Sequence, residues 1–224
     1  MDIITINWCK FLTTITSDLQ YRTTHYIRTS KSNEIVKSLK NSLFTIKSIY
    51  SDNEFGQAII ILQEDYTFLF NPCNPNEHVL VAERNNRTIK DRYRAMYYNL
   101  PYNRSAKNMI IYLVLSMTSK LNYFPSRFGL SKYYSPRMLL YIRNLTFKKH
   151  CKFSFGAHVQ ANQEPKPSDT LRARTIDCIY MRPSPAIQDV HEILHIATNK
   201  ILTRRSLIEL PITEDIITTT EKRA

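Results

Sequence analysis

The strongest constraint on the fold is a pair of proline-closed helical stretches set between segments that alternate like strands. From Val79 to about Asn99, the residues Ala82, Ile89, Tyr93 and Met96 recur at steps of seven, four and three, on one helix face. Pro101 stops that helix, because proline lacks an N–H and its ring clashes with the preceding turn. A second helix spans about Ser105 to Asn122, is apolar nearly all round and so should be buried, and ends before Pro125.

Ahead of these helices, residues 3 to 28 set Ile3, Ile4, Ile6, Phe11, Leu12, Ile15, Tyr21, Tyr26 and Ile27 among threonines. β-Branched and aromatic residues suit a pleated surface, and breaks at Asn7 and at Ser17-Asp18 allow an antiparallel meander. Residues 31 to 43 read as a helix with Ser32 or Asn33 as N-cap and Ile35, Val36, Leu39 and Leu43 on one face. The segment FTIKSIY (44 to 50) alternates apolar and polar, reads as a strand, and runs into Ser51-Asp52-Asn53.

The character changes after Phe124. Residues 125 to 151 form a basic, tyrosine-rich linker with a short helix near Pro136 to Ile142. Residues 152 to 212 hold several short strands at the spacing of a small antiparallel barrel, and 213 to 224 read as a frayed tail. The expected organisation is an α/β core over 1 to 124, the linker, and a small all-β barrel-like C-terminal domain.

Charge narrows the function. With 31 Lys+Arg against 19 Asp+Glu, the formal charge is +12, which favours nucleic acid as partner and an anionic membrane surface second. Glycine is scarce, and neither GxGxxG nor GxxxxGK occurs, which argues against a nucleotide cradled by a glycine loop. Cys9, Cys73, Cys151 and Cys178 form no CxxC pair, so neither structural zinc nor a disulfide framework is expected. The most apolar stretch, Met109 to Met117, falls well short of the ~20 residues that span a bilayer. With no signal-peptide pattern, the expectation is a soluble intracellular protein without a membrane partner.

Three carboxylates stand where a metal-dependent nuclease would put them. Asp2 opens the first strand, Asp52 ends the strand FTIKSIY, and Glu83 lies in the first turns of the long helix. Two-metal phosphoryl transfer needs hard oxygen ligands from different elements, with the ions ~4 Å apart. Singly, each has a plainer reading: an Asp at a strand end is usually a turn residue, and a Glu near a helix N-terminus favours the macrodipole. Glu83, Arg87, Lys90 and Arg94 share one helix face, suited either to a metal followed by a phosphate backbone or to simple solvation. Arg127, Lys132, Arg137, Lys148 and Lys149 cluster with Tyr133, Tyr134 and Tyr141, a combination that neutralises phosphates and stacks on bases. The string HEILH (191 to 195) matches HExxH literally, but it alternates like a strand and lacks a third ligand at suitable spacing.

The string AERNNRTIKDR (82 to 92) resembles the segment around the third catalytic residue of Copia-type retrotransposon integrases. SDNEF (51 to 55) resembles that family's segment around its second catalytic Asp, and MDIITIN its first strand. EHVLVAER, NLPYN, LNYFPSRFGLSKYYSPRMLL, KHCKFSFGAHVQA and ARTIDCIYMRP continue the resemblance in order over nearly the whole chain. The resemblance implies an RNase H-like core with a mixed five-stranded sheet and flanking helices. It also implies Asp2, Asp52 and Glu83 as both the catalytic triad and the ligands of Mg²⁺ or Mn²⁺. The implied activity is 3′-end processing and strand transfer, on double-stranded retroelement ends and target DNA. A homo-oligomer acting in the nucleus after synthesis in the cytoplasm goes with it, as does a nucleic-acid-binding role for the C-terminal β-domain. Trp8 follows Asn7 where relatives usually carry a turn-forming Gly, and the family's zinc module is missing, so the chain reads as a fragment of a polyprotein with a shortened first strand. The alternative is a catalytically inactive nucleic-acid-binding remnant.

Overall fold

The computed structural model describes the chain except for residues 41–46, 73–79, 144, 164–170, 172 and 185–188. Two compact units emerge, each discontinuous in sequence: Met1–Arg94 with Met117–Arg143, and Ala95–Ser116 with Asn144–Ala224. This differs from a core, linker and β-domain laid end to end. Among the described residues no helix is long and apolar enough to cross a membrane.

The first unit begins with the expected meander: β1 (Asp2–Ile6), β2 (Cys9–Ile15) and β3 (Arg22–Ile27) pair antiparallel in that order. A two-residue turn at Asn7-Trp8 joins β1 to β2, with Ile6 opposite Cys9. Helix α1 (Ser32–Lys40) follows, with Ile35, Val36 and Leu39 buried. Next come β4 (Ser48–Ser51), a single 3-10 turn (Asn53–Phe55), α2 (Gly56–Asp65) and β5 (Leu69–Pro72). β4 and β5 pair in parallel, so α2 serves as their crossover.

The sheet thus differs from a single mixed one of five strands: three antiparallel strands and two parallel strands are separate ladders. The Met1 nitrogen donates to the Tyr50 carbonyl at 2.6 Å, which sets the start of β1 beside the end of β4. Both ladders share one core. Leu12 and Ile27 from the meander and Ile49 from β4 pack with Val36, Leu39, Ala58, Ile59 and Leu62 of α1 and α2.

Helix α3 (Leu80–Tyr97) buries Ala82, Ile89 and Tyr93 as its periodicity predicts, together with Asn85 and Asn86. Helix α4 (Lys107–Leu121) carries buried residues around most of its circumference, among them Met109, Leu113, Val114, Met117 and Thr118. Residues 125–143 belong to the first unit rather than to a free linker. Leu130 N donates to Asp18 O and Arg137 N to Asn122 O, both at 3.1 Å. Ser135 caps the short α5 (Pro136–Tyr141) by accepting from Met138 N at 3.2 Å.

The second unit contains α6 (Phe147–His150) and β6 (His158–Asn162), β7 (Thr175–Pro183), β8 (His191–His195), β9 (Lys200–Arg204) and β10 (Leu207–Glu209). These strands form one antiparallel sheet in the order β10-β6-β7-β8-β9. β9 and β10 lie at opposite edges, so among the described residues the sheet is open rather than a closed barrel. Phe153, Val159, Cys178, Tyr180 and Ile193 form its core. The expected frayed tail is instead α7 (Glu214–Glu221), which buries Thr220 and is tied down where Asn103 N donates to Glu221 Oε1 at 2.6 Å.

Candidate active site

Asp2 is positioned by strand alternation. Ile3 packs against the α1/α2 core, so Asp2, Ile4 and Ile6 face the opposite side of the sheet. Helix α3 supplies the partner there: Asn86 Nδ2 donates a short hydrogen bond to Asp2 Oδ2. The same amide is oriented by Thr13, which pairs with Asp2 across the ladder and donates to Asn86 Oδ1 at 2.7 Å. Asp2 Oδ1 accepts from Ile3 N at 2.6 Å, so both carboxylate oxygens are anchored. Burial raises the Asp2 carboxyl above its ordinary range and the nearby Asp52 charge adds to this, while the Ile3 N–H and the Asn86 amide pull against it.

Asp52 stands where β4 runs into the 3-10 turn; its carbonyl accepts from Phe55 N at 3.2 Å, and its side chain makes no capping bond. Glu54 joins the same acidic patch: burial raises its carboxyl, followed by the charges of Asp2 and Asp52, with Lys10 opposing. Neither Glu54 nor the positioning pair Thr13 and Asn86 was picked out from sequence. Glu54 lay within SDNEF without a spacing signal of its own, and the Asn86–Asp2 contact joins residues 84 apart.

Glu83 is exposed in the first turn of α3, three residues before Asn86. Residues three apart on a helix are neighbours, with about 5–6 Å between Cβ atoms, so Glu83 emerges one turn from the group that grips Asp2. Among the described residues no three His, Cys, Asp or Glu side chains gather closely enough to hold a metal ion. The structure thus brings Asp2 and Asp52 together and leaves the Glu83 carboxylate outside a closed triad.

The predicted basic residues are dispersed. Arg87 is exposed and Lys90 half-buried on the Glu83 side of α3, and Arg94 pairs with Asp91 at 3.3 Å in solvent, a contact of little energetic weight. Lys132 is exposed, and Arg127 lies 5.7 Å from the Phe128 ring centroid. Arg137 lies 5.5 and 5.4 Å from the Tyr123 and Tyr141 ring centroids, within cation–π range of both. Lys148 is exposed in the second unit, and the Lys149 side chain lies outside the described residues.

The HEILH string is strand β8, where positions four apart are separated by ~13 Å and cannot chelate one ion. His191 packs against Phe153 and Tyr180, and Glu192 pairs with Arg182.

No protein-family model matches the chain, and no curated protein matches it. Among solved structures, it is similar to the catalytic core domain of BIV integrase at 14% identity and a TM-score of 0.43, covering 62% of this chain and 90% of that one.

Proposed function

We propose that the chain is a metal-dependent polynucleotidyl transferase of the Copia-type integrase kind, built on an RNase H-like core, that processes and joins DNA 3′ ends. The observation that carries this reading is the hydrogen bond by which Asn86, one helical turn beyond Glu83, holds the Asp2 carboxylate beside Asp52. It ties the first strand, the end of β4 and the start of α3 to one place. The Met1–Tyr50 hydrogen bond adds support, since it sets the start of β1 beside the end of β4.

The donor set fits a hard divalent cation. Asp2 and Asp52 offer carboxylate oxygens, and the charge of Asp52 acting on Asp2, with both acting on Glu54, marks an excess of negative charge that a cation would offset. Asp2, Asp52 and Glu83 would hold Mg²⁺ or Mn²⁺, with the exposed Glu83 side chain turning in from α3. Such an ion, when bound, supplies charge stabilisation at the phosphorus under attack. Asn86 and Thr13 hold Asp2 in register, and Arg87, Lys90 and Arg94 receive the double-stranded DNA backbone with Arg127 and Lys132. In this reading the protein works as a homo-oligomer in the nucleus, and the C-terminal sheet adds DNA and multimer contacts.

The test is a strand-transfer assay with oligonucleotide ends and Mn²⁺, comparing the wild type with Glu83→Gln. Product from the wild type alone supports the reading. The exposed position of Glu83 favours one second reading, a nucleic-acid-binding remnant without catalysis. Salt-dependent DNA binding without product from the wild type would select it.

A further inference from the structure

Successive helix residues turn by about 100°, which divides α3 into three sides. One carries Glu83, Arg87, Lys90 and Arg94, and a second packs Ala82, Ile89 and Tyr93 into the core. The third side, with Val81, Arg84, Asn85, Thr88 and Arg92, lines a cleft of about 740 Å³ within the first unit. That volume lies in the usual range for small-molecule sites, roughly 300–1,000 Å³. The cleft opens roughly 150° around the helix from Glu83, so it is separate from the carboxylates.

Its chemistry is one-sided. Arg22, Arg84, Arg92, Lys120 and Arg127 line it, and among the described residues no Asp or Glu does. A cationic wall without carboxylates is complementary to an anion. Its apolar surface comes from Ile15, Met117, Leu121 and Pro125, with Phe124 and Phe128 at 62% exposure each, and Gln20, Thr88 and Ser126 add neutral polar groups. Arg84 and Arg127 lie 5.4 and 5.7 Å from the Phe128 ring centroid, so that ring is already engaged, while Phe124 lines the cleft and is exposed.

Two polar atoms on this wall are buried and unpartnered. Arg22 Nε, a donor, and Asn85 Oδ1, an acceptor, make no hydrogen bond, and Asn85 is only 2% exposed. Buried polar groups are normally satisfied, and leaving one unmet costs free energy. Together they call for a ligand with an anionic acceptor at one end and an N–H donor at the other. Inorganic phosphate would leave Asn85 and the phenylalanines unmet, and a carboxylated lipid would offer Asn85 no donor. A nucleobase carries ring or exocyclic N–H groups and a stacking face, and its phosphate supplies the anion.

We propose that this cleft binds a nucleoside phosphate, with the phosphate among Arg22, Arg92 and Lys120, and the base stacked on Phe124 within reach of Asn85. The unit recognised can come from a free nucleotide or from the unpaired end of a DNA strand. The proposal does not depend on the transferase activity above.

Calorimetric titration of the full chain in EDTA, which keeps the carboxylate centre out of play, tests it. The probes are dAMP, deoxyadenosine, sodium phosphate and the single strand (dA)4. Saturable binding of dAMP is expected, with deoxyadenosine and phosphate each weaker by about tenfold or more. Phe124→Ala should weaken dAMP by roughly five- to a hundredfold, as losing one base–aromatic stack does. Arg127→Gln should weaken it and flatten its salt dependence. Phe124 and Arg127 are exposed, so their substitution leaves the fold intact, which circular dichroism verifies. Tighter binding of (dA)4 than of dAMP identifies a strand end as the source, and equal binding identifies the free nucleotide. No saturable binding of either, deoxyadenosine binding as well as dAMP, or wild-type affinity in both Phe124→Ala and Arg127→Gln would overturn the proposal.

Discussion

At Asn86 one amide fixes the position of two other side chains: its Oδ1 receives the Thr13 hydroxyl and its Nδ2 grips Asp2. Asn86→Ala removes both bonds at a buried position. A loss of about 1–3 kcal/mol in urea denaturation is expected, the usual cost of stranding buried polar groups. The Asp2 carboxyl should also titrate higher, because the amide that favours its charged form is gone; an unchanged Asp2 titration by carbon NMR would refute the positioning role. The acidic patch makes a second prediction. Asp2 and Glu54 have folded pKa values raised above 3.8 and 4.5, so the native state binds more protons than the unfolded chain as pH climbs from those values. Their contribution to stability is therefore favourable at low pH and is lost as pH rises through the raised values. Asp52→Asn removes a repelling charge from both groups. In EDTA it should melt higher than the wild type at pH 7, by up to about 1 kcal/mol, with the gain absent at pH 3. Added Mg²⁺ should raise the melting point of the wild type more than that of the variant. A variant less stable than the wild type at pH 7 would count against mutual repulsion.

Among the elements, the β1–β2 hairpin shows a local cost that the sheet overrides. A two-residue turn of this kind needs φ above zero at both central residues, and Asn7 and Trp8 sit at 44° and 65°. Asparagine tolerates that region, whereas a bulky side chain pays for it and Trp8, 97% exposed, gains little packing in return. Trp8→Gly is expected to stabilise the protein by about 1 kcal/mol in urea titration, and a destabilised variant would mean that the indole packs on something in solution. The meander, α1, α3 and α4 were legible because their apolar residues recur at periods of two or 3.6. Helix α2 and β5 were not, since Ile59, Ile60 and Ile61 fit a strand as well as a helix. The buried Ala58, Ile59 and Leu62, with Ile60 left 63% exposed, carried the helical signal. The carboxylates of the candidate site could be named from segment ends and resemblance, but their support could not. Thr13 and Asn86 read as an ordinary strand threonine and a polar helix residue until tertiary packing brings them to Asp2. The contacts of Arg137 with two tyrosine rings were hidden for a related reason, because they join α5 to the end of α4.

At the scale of the whole molecule, the chain weaves between its two units instead of completing one and then the other. It leaves the first unit after Arg94, returns at Met117 and leaves again after Arg143, and α4 contributes residues to both. A cut at residue 124, where composition changes, therefore falls inside the first unit. A fragment of residues 1–124 loses the hydrogen bond from Leu130 to Asp18, the capped α5 and the Arg137 contact with Tyr123. It also keeps residues 95–116, stranding buried Met109, Leu113 and Val114 without the segment 144–224 that completes their unit. Exposed apolar surface of that kind costs about 25 cal/mol per Å². The full chain should unfold cooperatively in urea with dispersed amide resonances, whereas fragment 1–124 should aggregate or show a broad, low-amplitude transition. Extending the fragment to residue 143 should restore the Arg137–Tyr123 contact yet still expose the first part of α4. A sharp, cooperative transition from fragment 1–124 would show that the first unit tolerates losing its last segment, and that the interleaving is a matter of contact density rather than of folding.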